Sequence, residues 1–421
     1  MLKKIKAFGA ILLVLVICFS SVTTALADEE NTGESGEPGE PVNGVGTQAV
    51  IIKTLRMPVG TNTPDARFEF EAKFVRLNDS DDEPASIPEL NNLVINFTEA
   101  DRPSGAPVNG IVSIQKTTGD ILQGVTFPHA GIFEFEVREL PKTNPPIDTN
   151  TIKHMLNYSK AEYILRVYVT NEGTGTRVSA VIMIATADDN GNPIENNENR
   201  VHKVSRMEFV NNFVKTNTVV DPSVGSTLFV RKQVAGELAS RETLFDFSIT
   251  LTIPDLGQTI PSYYRAYIVQ DGKVIDPDEN ADEDLIDKDE IGRYIMVSTD
   301  SETMFRLRDG QRLVFVDTPV GTSYVVEEAA NPHYAPSVIV TTDNSEAPST
   351  PTIPIIGAAL STGPQLVGES LNSAAFTNTR NFISPTGLSI NDLPFIGIIL
   401  LAIGALVVFV AFKTRKRRNH N

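Results

Sequence analysis

Short runs in which apolar and polar residues alternate fill most of this 421-residue chain. The runs at 68–70, 163–169 and 178–184 are examples, and turn residues such as those at 188–192 separate them. A strand points successive side chains to opposite faces, so this alternation is typical of strands with one buried face. No long stretch with helical period stands out, and the pattern therefore predicts an all-β fold built from short strands.

The strand-rich pattern falls into two segments, and each is long enough to bury its own core. We predict two tandem Ig-like β-sandwich domains, the first at 47–216 and the second at 226–380. The stretch 217–225 contains Asp221-Pro222 and no sustained pattern, which indicates a linker. Residues 28–46 are rich in Glu, Gly, Asn and Pro, and this composition predicts a disordered leader.

A lysine, a glutamate and an asparagine recur on the inner, apolar face of predicted strands, in the same order in both segments. In the first such strand the lysine shares its face with Ala49, Ile51 and Leu55. Buried charge is costly unless it is paired or neutralised, so two ordered sets indicate chemistry within each set. The first set is Lys53, Glu139 and Asn211, and the second is Lys232, Glu328 and Asn378.

The N-terminus has the features of a secretory signal peptide. Residues 1–27 combine three lysines, an apolar stretch and the small-residue site Ala25-Leu26-Ala27. An uncleaved membrane anchor is the alternative. The one cysteine, Cys18, lies inside this segment, so the mature chain is expected to hold no disulfide. Any covalent staple in this secreted protein must then use other chemistry.

The C-terminal segment 381–421 contains an apolar run at 393–412 that is long enough to span a bilayer. Basic residues follow the run directly, which predicts that the bulk of the chain lies outside the cell. Ahead of the run stands Ile383-Ser384-Pro385-Thr386-Gly387. This order of motif, apolar run and basic tail resembles the cell-wall sorting signal of Gram-positive surface proteins. An ordinary single-pass anchor is the alternative.

The resemblance implies that a sortase cuts between Thr386 and Gly387 and passes the threonine carboxyl to an amine. It also implies a membrane-inserted precursor and a mature extracellular protein on the cell surface, in the cell wall of a Gram-positive bacterium. Ser384 stands where the common Leu-Pro-x-Thr-Gly signal has proline. The motif is therefore more similar to the x-x-Pro-Thr-Gly form found on some pilins, and the cognate sortase is left open.

Composition excludes several classes of function. The chain has 36 basic and 53 acidic residues and a net charge of −17, and such a surface repels nucleic acid. Neither a zinc signature nor a nucleophile elbow is present, so we expect no cofactor and no turnover enzyme. The acidic run 276–290 has oxygen ligands at alternate positions, but Ala281 and Asp287 stand where an EF-hand loop has Gly and Glu. A Ca²⁺ site and a solvated loop both stay open there.

The first segment resembles the FctA-type domain of Gram-positive major pilins over 49–215. The second resembles the related pilin-like module through 228–236, 319–328 and the closing Phe376-Thr377-Asn378-Thr379. In that family a strand lysine and a strand asparagine become joined by an isopeptide bond, assisted by an acidic residue. The resemblance implies pilin-type sandwiches with the bonds Lys53–Asn211, assisted by Glu139, and Lys232–Asn378, assisted by Glu328.

These residue types suit that reaction. An ammonium cannot attack the asparagine carboxamide, and burial lowers the pKa of a lysine so that the neutral amine becomes available. Burial also raises the pKa of a glutamate, which can then relay protons to the departing ammonia. Each bond would form once per molecule, as a maturation step. The alternative is that each lysine extends its amine to solvent and each asparagine ends a strand.

These features favour a structural, sortase-processed pilin or pilin-like subunit, whose partners are the sortase and other pilin subunits or peptidoglycan. In the resembling pilins a lysine shortly before the isopeptide asparagine receives the next subunit, and Lys203 is the nearest match here. An ordinary surface lysine is the alternative for Lys203. A monomeric wall-anchored adhesin that binds a host or matrix ligand is the second function, and a single-pass receptor that keeps its membrane helix is the third.

Overall fold

The computed structural model describes residues 46–78, 86–147, 154–197, 201–216, 218–299, 301–348, 355–381 and 393–418. Within these ranges the chain consists mainly of β-strands, arranged as two tandem β-sandwiches, and the predicted all-β fold is confirmed. The predicted signal peptide at 1–27, most of the leader at 28–46 and the cleavage pair Thr386 and Gly387 lie outside the described residues.

Among the described residues, ten strands form the N-terminal sandwich: β1 (Ile51–Pro58), β2 (Ala66–Leu77), β3 (Val94–Phe97), β4 (Ile111–Thr117), β5 (Gly131–Asn144), β6 (Met155–Asn157), β7 (Glu162–Glu172), β8 (Gly175–Ala187), β9 (Lys203–Val204) and β10 (Met207–Val214). A four-stranded sheet has the order β4-β1-β10-β6, and a six-stranded sheet has the order β3-β2-β5-β7-β8-β9. The apolar faces of the two sheets pack together. Phe70 and Phe209, one from each sheet, have ring centroids 5.0 Å apart.

In the part of the second domain that the structure describes, fourteen strands form the C-terminal sandwich: β11 (Leu228–Ala235), β12 (Phe245–Thr252), β13 (Tyr263–Gln270), β14 (Lys273–Ile275), β15 (Ile286–Lys288), β16 (Arg293–Ser298), β17 (Thr303–Leu307), β18 (Arg312–Phe315), β19 (Ser323–Glu328), β20 (Ala335–Thr342), β21 (Ser345–Pro348), β22 (Leu360–Ser361), β23 (Gln365–Leu366) and β24 (Ser373–Thr379). One sheet runs β15-β16-β13-β18-β11-β24-β20-β21, with β14 on β13, and the other runs β17-β12-β19-β22, with β23 on β19. Phe247 and Phe376 meet between the sheets with ring centroids 5.2 Å apart.

The first and last strands of each sandwich lie side by side and parallel, β1 with β10 and β11 with β24. In the first pair Lys53 is opposite Phe209, and in the second Lys232 is opposite Phe376. Each asparagine lies two residues beyond that phenylalanine, and a step of two returns to the same face of a strand. The two domains therefore bring a lysine and an asparagine together in the same register. The glutamates lie on β5 and β19, in the facing sheets.

The two domains meet where β1 and β10 end. The Val320 backbone N–H donates to the Lys215 carbonyl at 2.9 Å, and Glu369 accepts from the Asn62 backbone N–H at 2.7 Å and from Lys215 Nζ at 2.6 Å. Gly321 packs so closely that a Cβ there would lie 2.3 Å from Pro58 Cβ. Because β11 starts beside this junction and runs away from it, Arg380 lies at the far end of the second domain.

A C-terminal helix, α1 (Leu393–Arg418), follows the sandwiches in the chain. Its 20 residues Pro394–Lys413 have a mean hydropathy of 3.1, so this helix is long and apolar enough to cross a membrane. The helix coincides with the predicted apolar run at 393–412 and fits a membrane-anchored precursor.

Candidate functional site

The structure brings the first predicted set together in the core of the N-terminal sandwich. Lys53 and Asn211 are fully buried and Glu139 is 5% exposed. Lys53 Nζ donates to Glu139 Oε2 at 2.8 Å, and Asn211 Nδ2 donates to Glu139 Oε1 at 2.8 Å. The Phe68 ring centroid lies 5.0 Å from Lys53 Nζ. One carboxyl group therefore bridges the amine and the carboxamide in an apolar setting.

The second set has the same arrangement with one difference. Lys232 Nζ and Asn378 Nδ2 both donate to Glu328 Oε1, at 2.6 Å and 2.5 Å. The Phe245 ring centroid lies 3.9 Å from Lys232 Nζ. Among the described residues, Glu328 Oε2 and Asn378 Oδ1 have no hydrogen-bond partner. Because both atoms are buried, this site is less completely satisfied than the first.

Burial shifts the proton affinities of both pairs toward their neutral forms. Loss of solvation lowers the pKa of Lys53 to about 8 and that of Lys232 to about 8, although the neighbouring glutamate opposes each shift. The same loss of solvation raises the pKa of Glu139 and that of Glu328 above the usual range, against the attraction of the lysines. In each pair both shifts favour transfer of the proton from nitrogen to oxygen, which yields a neutral amine beside a carboxylic acid.

Sequence reasoning missed one group at the first site. The backbone N–H of Ser159, in the loop between β6 and β7, donates to Asn211 Oδ1 at 2.6 Å. A backbone donor carries no residue signature, and only the path of the loop places it there. The sequence holds no pattern that could have identified it.

The other predicted positions are separate from the two triads. Lys203 is exposed on β9. In the acidic run the carboxylates of Asp276, Asp278 and Glu283 bind the guanidinium of Arg293. Within the described ranges, three or more His, Cys, Asp or Glu side chains nowhere form a group that could hold a metal ion.

Comparison with known proteins found one family model for part of the chain and a relative that matches most of it. Residues 226–380 match the family model described as a domain of unknown function, DUF7601. Over 374 residues the chain is 23% identical to a pilin of Streptococcus pyogenes serotype M1, a match that covers 87% of this chain and 91% of that protein. The fold is pilin-like.

Solved structures similar to this pilin-like chain include two major pilins of Streptococcus pyogenes. The first is 21% identical with a TM-score of 0.30, and the match covers 81% of this chain and 100% of that chain. The second, the T3.2 protein, is 17% identical with a TM-score of 0.29, and the match covers 80% of this chain and 99% of that chain.

Proposed function

We propose that this chain is a structural subunit of a pilus, stabilised by two internal Lys–Asn isopeptide bonds and assembled by a sortase. The observation that supports the proposal most is that the same arrangement of three side chains occurs in both domains. Both domains place a buried lysine and a buried asparagine in the same parallel register, with one carboxyl group touching both. A buried ion pair serving stability alone would not need an asparagine on the same carboxyl group in each domain.

The proposed reaction exchanges one amide for another. Neutral Lys53 Nζ attacks Cγ of Asn211, a new C–N bond forms, and the bond from Cγ to Nδ2 breaks. Glu139, which contacts both nitrogens, takes the proton from Nζ and gives a proton to Nδ2, which leaves as ammonia. Lys232, Asn378 and Glu328 react in the same way. Each site reacts once, so the protein matures and does not turn over substrate.

The pH dependence of bond formation follows from the shared proton. A reactive pair needs a neutral amine and a protonated carboxyl group, which together hold one proton, as the unreactive ion pair does. Above the lysine pKa of about 8 the pair loses that proton, so we expect the rate to fall above about pH 8. The measurement is ammonia loss by mass after pulsed synthesis and chase at each pH. A rate that continues to rise above that pH would show that the protonated acid is not required.

Assembly follows from the positions of the two ends. Arg380 precedes the proposed acyl donor, Thr386, in the sequence and lies at the end of the second domain that is distant from the junction. Lys203 precedes β10, and β10 runs from Met207 toward the junction. Lys203 and Arg380 therefore lie at opposite ends of the two-domain unit, an arrangement that is compatible with head-to-tail polymerisation.

A Lys203→Arg variant tests the assembly proposal. Arginine keeps the positive charge, but its guanidinium stays protonated and cannot accept the acyl group. Covalent ladders that resist boiling in detergent should therefore disappear, while both internal bonds still form. Lys160→Arg is the control, since Lys160 is also exposed, and it should keep the ladder. A single band in wild type after wall digestion would favour the monomeric adhesin. Surface protein that retains peptides from 402–410 would mark a single-pass membrane protein.

A further inference from the structure

The two triads differ at the carbonyl oxygen of the asparagine. In the first, Asn211 Oδ1 accepts a hydrogen bond of 2.6 Å from the Ser159 backbone N–H. In the second, Asn378 Oδ1 has no partner among the described residues. When an amine attacks a carboxamide, this oxygen is the atom on which negative charge develops, so a fixed donor there stabilises the transition state.

Asp189 fixes the loop that carries this donor. Its Oδ1 accepts from Ser159 Oγ at 2.5 Å and from the Val210 backbone N–H at 2.9 Å. Its backbone carbonyl accepts from the Lys160 N–H at 3.0 Å. Because Val210 is next to Asn211, one carboxylate joins the loop to the strand beside the reacting amide.

We propose that the Ser159 backbone N–H acts as an oxyanion donor in the first cross-linking reaction and that Asp189 is its positioning residue. The inference rests on the proposed function, namely that Lys53 and Asn211 become joined. The second site has no such donor within the described residues and provides an internal reference in the same molecule.

Asp189 also affects the reaction through its charge, and this effect opposes the benefit of positioning the donor. The two roles can therefore be distinguished by mutation. Its negative charge raises the pKa of Lys53 and so disfavours the neutral amine. Asp189→Asn keeps an acceptor oxygen and removes the charge, whereas Asp189→Ala removes both. If Asp189 acts by positioning the donor, Asp189→Ala should slow formation of the first bond and Asp189→Asn should restore its rate. A purely electrostatic role predicts that both variants accelerate it.

The test is a pulse and chase of the full-length chain made by cell-free synthesis in detergent, with acid quenching and peptide mass mapping of both bonds. Complete loss of an oxyanion donor costs about 10²–10³ in rate. For Asp189→Ala, which loosens the donor, we expect the first bond to slow about tenfold or more relative to the second. Asp189→Asn should return the ratio to that of wild type or above it.

Each outcome has a defined meaning. An unchanged ratio in Asp189→Ala, or equal behaviour of the alanine and asparagine variants, would overturn the inference. If Asp189→Ala does not fold, Ser159→Ala decides, because it keeps the backbone N–H and removes the link from Oγ. Slowing of the first bond would then support the inference and no slowing would overturn it. Absence of both bonds in wild type would instead refute the proposed function.

Discussion

The wild-type chain should weigh less than its sequence requires by the mass of two ammonia molecules, and Glu139→Gln or Glu328→Gln should each restore one of them. A general acid–base group contributes about 10²–10⁴ to a rate, so its loss should leave the bond in that domain unformed on the time scale of expression. Intact-mass measurement of the purified protein reads the result directly, and peptide mapping assigns the remaining bond to one domain.

The glutamate variants also separate two roles of the carboxyl group. Glu139 raises the pKa of Lys53 against the effect of burial, so its removal makes the neutral amine more abundant. If the carboxyl group acted only as a counter-ion, Glu139→Gln would speed the reaction. We expect it to stop the reaction, because without a relay the leaving nitrogen receives no proton.

Glu134 supplies a matched control on the same strand. It is 2% exposed, but it faces the other side of the sheet, where it pairs with Arg76 and Arg166 at 2.5 Å each. Glu134→Gln should keep both cross-links, although it removes the negative charge that Arg76 and Arg166 share. A wild-type protein of full calculated mass would refute the cross-linking proposal altogether.

The strand pattern and the identity of the triads could be predicted because both depend on short-range periodicity. A lysine such as Lys53, flanked at steps of two by Ile51 and Leu55, must share their buried face if the segment is a strand, and the structure places it there. Glu139 and Asn211 follow the same rule. A resemblance in motif order then grouped the residues into two sets.

The parts that sequence reasoning missed depend on contacts between distant segments. The sequences of β1 and β10 do not indicate that the two strands pair in parallel, because the topology of the whole sandwich determines this pairing. The acidic run shows the same limit. Its carboxylates are compatible with a cation site or a solvated loop, and in the structure those of Asp276, Asp278 and Glu283 bind Arg293, which lies beyond the run on β16.

Tension along the proposed fibre should load the two internal bonds unequally. When force is applied between Lys203 and the chain after Arg380, the covalent path that carries it through the first domain consists only of residues 203–216. Lys53 lies outside this stretch and is attached to it only as a branch at Asn211. The first isopeptide bond therefore carries no load. In the second domain the path reaches Lys232 in the middle of β11 and leaves from Asn378, near the end of β24. The second bond therefore lies in series with the fibre and shields the residues between 232 and 378.

Single-molecule stretching of chains held at Lys203 and at the C-terminal end of the second domain tests this division. Wild type should show no unfolding step, and Asn378→Ala should show one that adds roughly 500 Å, since an extended residue spans about 3.3–3.6 Å. Asn211→Ala is the matched control, because it removes the same chemistry from the other domain, and it should extend no further than wild type. The same long step in wild type would mean that the second bond is missing. A comparable step in Asn211→Ala would refute this division of load, because it would mean that the first cross-link bears tension even when the chain is held at Lys203.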